Sequence, residues 1–458
     1  MVPAMEDLLW AGADAQARAL RDGQVTAPDL LEAVLRRAES LNPTLNAFRV
    51  LYVDAAREAA REAQRRLDAG ERTPLLGVPV AVKDDTDVAG DVTTKGARPQ
   101  FPPAAADSAV VARLRAAGAV VVGRTLTPEQ CLWPFTETLT YGATRNPWNP
   151  DYTTGGSSGG SACAVAGGIV GAATGSDGGG SIRIPATATG VFGIKTSRGL
   201  VDQTPWVGGW NGLSVIGPLG RTVADVGALL DVIADGGDYR AAVDADPGPL
   251  RIALSWRTPM GRPPMNPRWR RAVIDTADRL RDLGHSVTEV DPPLGTAPST
   301  LFLIRYLRGV ADDVAGLPHP EWLESRTRKI AFLGRRVPDS ALGWAQRVED
   351  RLQRTMTDFF AAHDVILQPS WTRRPTRVGA FHGRGLSATY AGVTIRIPYF
   401  PTWNVLGNPV AAVPVGRDEV GMPIGVQLIG PHRSERLLLS LSGQYERAHP
   451  WADRRPEV

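Results

Sequence analysis

The chain is poor in the residues that build metal and redox sites. Its 458 residues include only two cysteines, Cys131 and Cys163, and six histidines. These form no CxxC pair and no Cys/His ligand spacing, so neither a metal nor another cofactor is expected. Two isolated cysteines fit free thiols in a reducing compartment. No segment has the about 18–20 continuous apolar residues that a membrane span needs. The opening "MVPAMEDLLW" lacks the basic and apolar regions of a signal peptide. A soluble, cytoplasmic protein without a membrane partner is the expectation. Net charge is +3, and the basic residues are spread without long blocks. That pattern gives no sign of a nucleic-acid partner. Lysine is scarce too. Lys83, Lys95, Lys195 and Lys329 are the only four among 51 basic residues.

The rest of the composition is that of a folded enzyme. It is 43% hydrophobic and 22% charged, which allows a sizeable core. Residues 54–69 predict a helix stopped by Gly70, and "LGVPVAV" (76–82) is a strand-length apolar run. "DSAVVARLRAAG" followed by "AVVVGR" predicts a capped helix, a glycine stop and a strand. "LRIALSW" (250–256) opens another such unit. Its helix has Asn266 as N-cap, and "HSVTEV" is its next strand. A long helix near 341–362 leads to the strand "DVILQPS". "NPVAAVPVG" and "MPIGVQLIG" predict paired strands, and a last helix falls within 433–448. Alternating strands and helices predict an α/β fold. "GGDYRAAVDADPGP" (236–249) predicts a long surface connection.

The segment Gly155–Ala186, "GGSSGGSACAVAGGIVGAATGSDGGGSIRIPA", is about one third glycine and contains five serines. A phosphate cradle would need GxxxxGK[ST], or GxGxxG after a strand, and neither occurs. "GSSGG" matches GxSxG with Ser158 at its centre. However, a proline-rich loop precedes it instead of the buried strand of a nucleophile elbow. A flexible linker would not carry "ACAVAGGIVGAATG", whose small apolar residues suit a tightly packed buried helix. An acyl-transfer site remains. "DGGGS" (177–181) offers successive backbone N–H groups for an oxyanion. A serine nucleophile needs a base, and no histidine lies in a triad motif. Lys83, at the end of "GVPVAV", is the alternative. Burial would favour its neutral form. Pairing with Asp84 or Asp85, or snorkelling at the strand end, is the competing structural role.

"GGSSGGSACAVAGG", "GSDGGGSIRIPA", "GVPVAVKD", "TRNPWNPDYTTGGSSGGS" and "GMPIGVQLIG" together resemble the amidase signature family of Ser-Ser-Lys hydrolases. The likeness covers about residues 20–235 and 360–458 and is weaker between them. It implies a single amidase domain over 1–458, with a large mixed central β-sheet covered on both faces by α-helices. Its parts would be a catalytic core at about 65–235, a variable middle at about 236–360 and a C-terminal part at about 361–458 completing the sheet. It also implies Ser181 as acylated nucleophile, Ser157 as bridging serine on a cis Gly156–Ser157 bond, and Lys83 as base. Gly178, Gly179, Gly180 and Ser181 would form the oxyanion hole. Ser176 and Thr154 depart from the residues frequent at their positions. Asp177 and Arg183 are expected to brace the loop. Ser158 and Ser161 are expected to be structural, with Ser158 also placed to position the lysine.

The implied substrate is a small amide, with esters and carbamates as related acyl compounds, and the enzyme would be a monomer or homodimer. The alternative is the glutaminase subunit of a tRNA-dependent amidotransferase. That subunit typically has small polar residues where this chain has Trp133 and Phe135. Loop aromatics Trp133, Phe135, Trp206 and Trp210, with Trp371 at a strand end, are the candidate pocket walls. They point to aryl or medium-chain acyl groups.

Overall fold

The computed structural model describes residues 4–457. Eleven strands form one sheet. Across the sheet the order is Phe48–Leu51, Val120–Thr125, Pro79–Lys83, Ala172–Asp177, Val215–Gly220, Phe192–Lys195, Val410–Arg417, Pro423–Ile429, Val365–Pro369, Arg251–Leu254 and Ser286–Glu289. The pairing is mixed. Pro79–Lys83 runs parallel to both neighbours. The centre, from Ala172–Asp177 to Val365–Pro369, is antiparallel. A parallel set then closes the far edge. Pro79–Lys83 and Ala172–Asp177 are buried at every position, which explains their continuous apolar or small-residue runs.

The helices form for the reasons the sequence suggests. Val53–Asp68 buries Ala56, Ala60, Ala63 and Leu67, one face at helical spacing. Asn266 caps Pro267–Asp282 by accepting from the Arg268 N–H at 2.8 Å. Two expectations are corrected. The residues 236–249 are not wholly a loop, because Tyr239–Asp244 is a helix with Tyr239, Ala242 and Val243 buried. The small-residue run is a buried helix only over Gly159–Ala166, and its second half is the strand Ala172–Asp177.

Two parallel strands position the site. Pro79–Lys83 ends at Lys83 and Ala172–Asp177 ends at Asp177, so both deliver side chains to the same edge of the sheet. In open α/β sheets that carboxyl edge is where ligands bind.

Candidate active site

Lys83 is fully buried, and its Nζ lies 2.7 Å from Ser157 Oγ and 2.6 Å from Ser176 Oγ. The third neighbour is Asp85 Oδ2 at 3.0 Å. Ser176 Oγ in turn donates to Asp85. Burial works to lower the Lys83 pKa. The Asp85 carboxylate outweighs it, with Asp177 adding to the effect, and the net direction is upward. For Asp85, burial works upward, but Lys83 and the Ser176 hydroxyl hold the carboxyl below its ordinary value. The resting pair is therefore an ammonium and a carboxylate. Of the two influences weighed from the sequence, burial and pairing with a neighbouring aspartate, the pairing with Asp85 sets the resting state. Asp84 turns elsewhere, 2.9 Å from Arg124 Nε and 3.2 Å from Arg49 Nε.

Lys195 is the other fully buried lysine. Burial and the Arg183 guanidinium bring it down to about 7. Its Nζ donates to the Thr196 carbonyl at 2.8 Å and is not bonded to a serine. Geometry comes before pKa in assigning a base, so Lys83 is the lysine joined to the serine cluster.

The Gly156–Ser157 peptide is cis, as the resemblance implies. Gly156 must be glycine, because a Cβ there would meet the Trp133 carbonyl oxygen at 2.5 Å. The Ser158 N–H donates to the Ser181 carbonyl at 3.0 Å, which ties the two serine segments together. Ser158 Oγ accepts from the Ser176 N–H and donates to its carbonyl, both at 3.2 Å. It therefore fixes Ser176 and not the lysine directly. Ser161 Oγ donates to the Thr174 carbonyl at 2.8 Å, a structural role.

The loop 178–181 is held from below by Asp177. This buried carboxylate accepts from the Gly180 N–H at 2.7 Å and the Ile182 N–H at 3.1 Å. Arg183 grips it with Nε at 2.9 Å and Nη2 at 3.0 Å. Gly180 is thus corrected as an oxyanion donor, since its N–H is already engaged. Its φ of +125° and a Cβ that would come 2.6 Å from Ile184 Cδ1 explain why glycine stands there. The N–H groups of Gly178, Gly179 and Ser181 have no partner among the described residues.

Two cavities meet at this loop. An apolar cavity of about 320 Å³ reaches Ser181, Gly179 and Gly156. Trp133, Trp210, Phe302, Tyr306, Tyr390 and Ile397 are among its walls, and no described lining residue is charged. A polar cavity of about 300 Å³ lies on the other side, against Asp85, Ser176, Gly178 and Lys95. Cys131 and Trp210 border both.

The candidate aromatics therefore separate. Trp133 and Trp210 line the apolar cavity. Phe135 stacks behind Trp133 at 5.7 Å between ring centroids and is support rather than wall. Trp206 faces the polar cavity, with Lys95 Nζ 4.7 Å from its ring centroid. Trp371 is a core residue packed with Ile184 and Phe400, its Nε1 donating to the Ile184 carbonyl at 3.3 Å. The sequence reading missed Phe302 and Tyr306, on the helix Ala297–Ala315, and Tyr390, on Leu386–Thr394. The first helix lies in the weakly matching middle. No motif there marks which apolar residues face a cavity.

The amidase family model matches residues 29–439. The chain belongs to the amidase signature family. AmiB2 of Mycobacterium tuberculosis is 48% identical over 457 residues, covering 99% of both chains. An acylamidase of Rhodococcus erythropolis is 31% identical over 474 residues, covering 98% of each. The 6-aminohexanoate-cyclic-dimer hydrolase of Paenarthrobacter ureafaciens is 34% identical over 498 residues, covering 98% of this chain and 97% of that one. A solved structure of a 6-aminohexanoate cyclic dimer hydrolase superposes with a TM-score of 0.89 over 98% of this chain and 99% of that one, at 29% identity. This amidase is a hydrolase of carbon–nitrogen amide bonds, with the fold of its family. Among the described residues, no helix is long and apolar enough to cross a membrane.

Proposed function

We propose that this amidase hydrolyses amides whose acyl part is an aryl or medium-length apolar group, through an acyl-enzyme on Ser181. The carrying observation is the uncharged aromatic cavity that reaches Ser181. Burying apolar substrate surface there is worth roughly 25 cal/mol per Å². The name of the similar acylamidase agrees with an acyl amide as substrate and does not specify the acyl group.

In this reading Lys83 acts as the neutral amine. It takes the Ser157 proton while Ser157 takes the Ser181 proton. Ser181 Oγ attacks the carbonyl carbon, and the oxyanion is received by the N–H groups of Gly179 and Ser181, with Gly178 beside them. The proton held by Lys83 returns through Ser157 to the leaving nitrogen as the C–N bond breaks. Water then attacks the acyl-enzyme by the same relay. Esters and aryl carbamates enter the same chemistry, because their leaving groups need less protonation.

A glutamine substrate fits poorly. Placed in the apolar cavity, its α-ammonium and α-carboxylate would be buried without partners, at a cost of several kcal/mol. The test is kcat/KM for an anilide against glutamine with the isolated chain. A strong preference for the anilide is expected. A preference for glutamine, or turnover only with an added partner subunit, would return the amidotransferase reading.

A further inference from the structure

Lys83 Nζ has three oxygen neighbours, and the hydrogens of two can be followed. Ser176 Oγ gives its hydrogen to Asp85, so its lone pairs face Lys83 and it accepts from the lysine. Asp85 Oδ2 carries a carboxylate charge and also accepts. An ammonium has three donors. Two are thus committed, to Ser176 and Asp85, and the remaining tetrahedral position faces Ser157 at 2.7 Å. Loss of that third proton leaves a lone pair aimed at the serine that must give its proton up.

We propose that Asp85 is a positioning residue: with Ser176 it occupies two N–H bonds of Lys83, aims the third position at Ser157, and by its charge sets the pH above which that position is empty. Asp85 follows Lys83 by two residues, in the turn that ends the strand Pro79–Lys83, where the Thr86 N–H donates to the Lys83 carbonyl at 3.3 Å. The turn brings its carboxylate back to Lys83 Nζ. Its side chain borders the polar cavity, which gives the displaced proton a route to water without crossing the apolar cavity. No other reactant is needed, because the proton leaves to solvent before substrate chemistry begins.

The other ionisable groups around the pair are accounted for. Cys131 lies 3.6 Å from Asp85 Oδ2, and burial raises its thiol to about 11, so it adds no charge near neutral pH. Asp177, at the end of the adjacent strand, is matched by Arg183. Asp84 is matched by Arg124 and Arg49. Lys95 acts on Asp85 from the polar cavity and favours its ionised form. Asp85 is left as the principal anion holding the ammonium.

The inference rests on the Ser181–Ser157–Lys83 reading. Its test is the pH dependence of kcat/KM on an anilide for the native enzyme, Asp85→Asn and Ser181→Ala. Asparagine keeps an acceptor for Lys83 but loses the charge. The rising limb of the native profile should still be climbing at about pH 9, and Asp85→Asn should move it to lower pH by at least about one unit. A limb unmoved in folded Asp85→Asn, with Ser181→Ala inactive, would overturn this inference and leave the triad intact. An active Ser181→Ala would overturn the triad instead. Should Asp85→Asn not fold, the native profile decides: a plateau already reached at neutral pH contradicts a carboxylate-held ammonium.

Discussion

Replacing Asp177 by Asn changes one atom beneath the loop that carries Ser181. The carboxylate is fully buried and paired with Arg183 by two hydrogen bonds of 2.9 and 3.0 Å. Arg183 is fully buried as well, and its other contacts are neutral: the Phe400 carbonyl at 3.1 Å, Gln427 Oε1 at 2.8 Å and Asn404 Oδ1 at 2.7 Å. Asp177→Asn would leave this guanidinium without its counter-ion. Breaking a buried pair from one side costs about 3–5 kcal/mol. At about 2.1 cal/mol/K per residue, a chain this long unfolds with an entropy of roughly 1 kcal/mol/K, so Tm should fall by about 3–5 °C.

A functional loss should accompany it. The same carboxylate fixes the Gly180 and Ile182 N–H groups, and a misplaced oxyanion donor costs about 10²–10³ in kcat. Arg183→Met combined with Asp177→Asn should cost less than the two single changes added together, because both remove the same pair. The pair also sets a pH dependence. Burial works to raise the Asp177 pKa, but Arg183, Lys195 and Asn404 hold the carboxyl well below the usual range. Its stabilisation is complete above an unfolded aspartate's value of about 3.9 and is lost as pH falls through the lower folded value. The Asn variant should lack that acid-side loss. Differential scanning fluorimetry across pH, with anilide turnover, reads all of this. An Asp177→Asn protein with native Tm and native kcat would refute the reasoning.

Lys83→Ala should lower anilide turnover by orders of magnitude and ester turnover much less, because an alkoxide leaves with less need of a proton. Equal losses on the two substrates would point to a binding defect and not to a missing base. Phe302→Ala should weaken kcat/KM for an aryl amide by about 5–30-fold, the equivalent of 1–2 kcal/mol of lost apolar contact, with a smaller effect on acetamide-sized substrates. An unchanged aryl-to-acetyl ratio would remove Phe302 from the acyl pocket.

Much of the framework could be read from local pattern. Pro79–Lys83, which takes up the "PVAV" of "GVPVAV", is a fully buried strand flanked by parallel neighbours, so its apolar run is continuous. Asn266 followed by Pro267 is a cap signal that depends only on adjacent residues. The strands Val410–Arg417 and Pro423–Ile429 pair across a short turn, which keeps their signal local.

The missed features depend on contacts far apart in the chain. Phe302 meets the loop at Gly179, where a Cβ would come within 3.0 Å of its ring. Nothing near residue 302 in sequence announces that approach. Trp371 stands at a strand end like a pocket residue, but Ile184 and Phe400 close over it. Asp84 and Asp85 are adjacent and chemically alike, yet the chain points them to opposite partners. The sequence left both open as partners of Lys83, and the arginines that claim Asp84 come from other strands. Gly180 looked like a free donor because the carboxylate that takes its N–H, three residues earlier, reaches it only after the loop folds back.

The central claim is that Ser181 carries the acyl group. The direct measurement is peptide mapping after reaction with a fluorophosphonate, on the native enzyme and on Ser181→Ala. The account predicts one modified peptide, carrying the adduct on Ser181, and no adduct or amide turnover in the folded alanine variant. An adduct on Ser158 or Ser157 in the native enzyme, or retained turnover in Ser181→Ala, would contradict it.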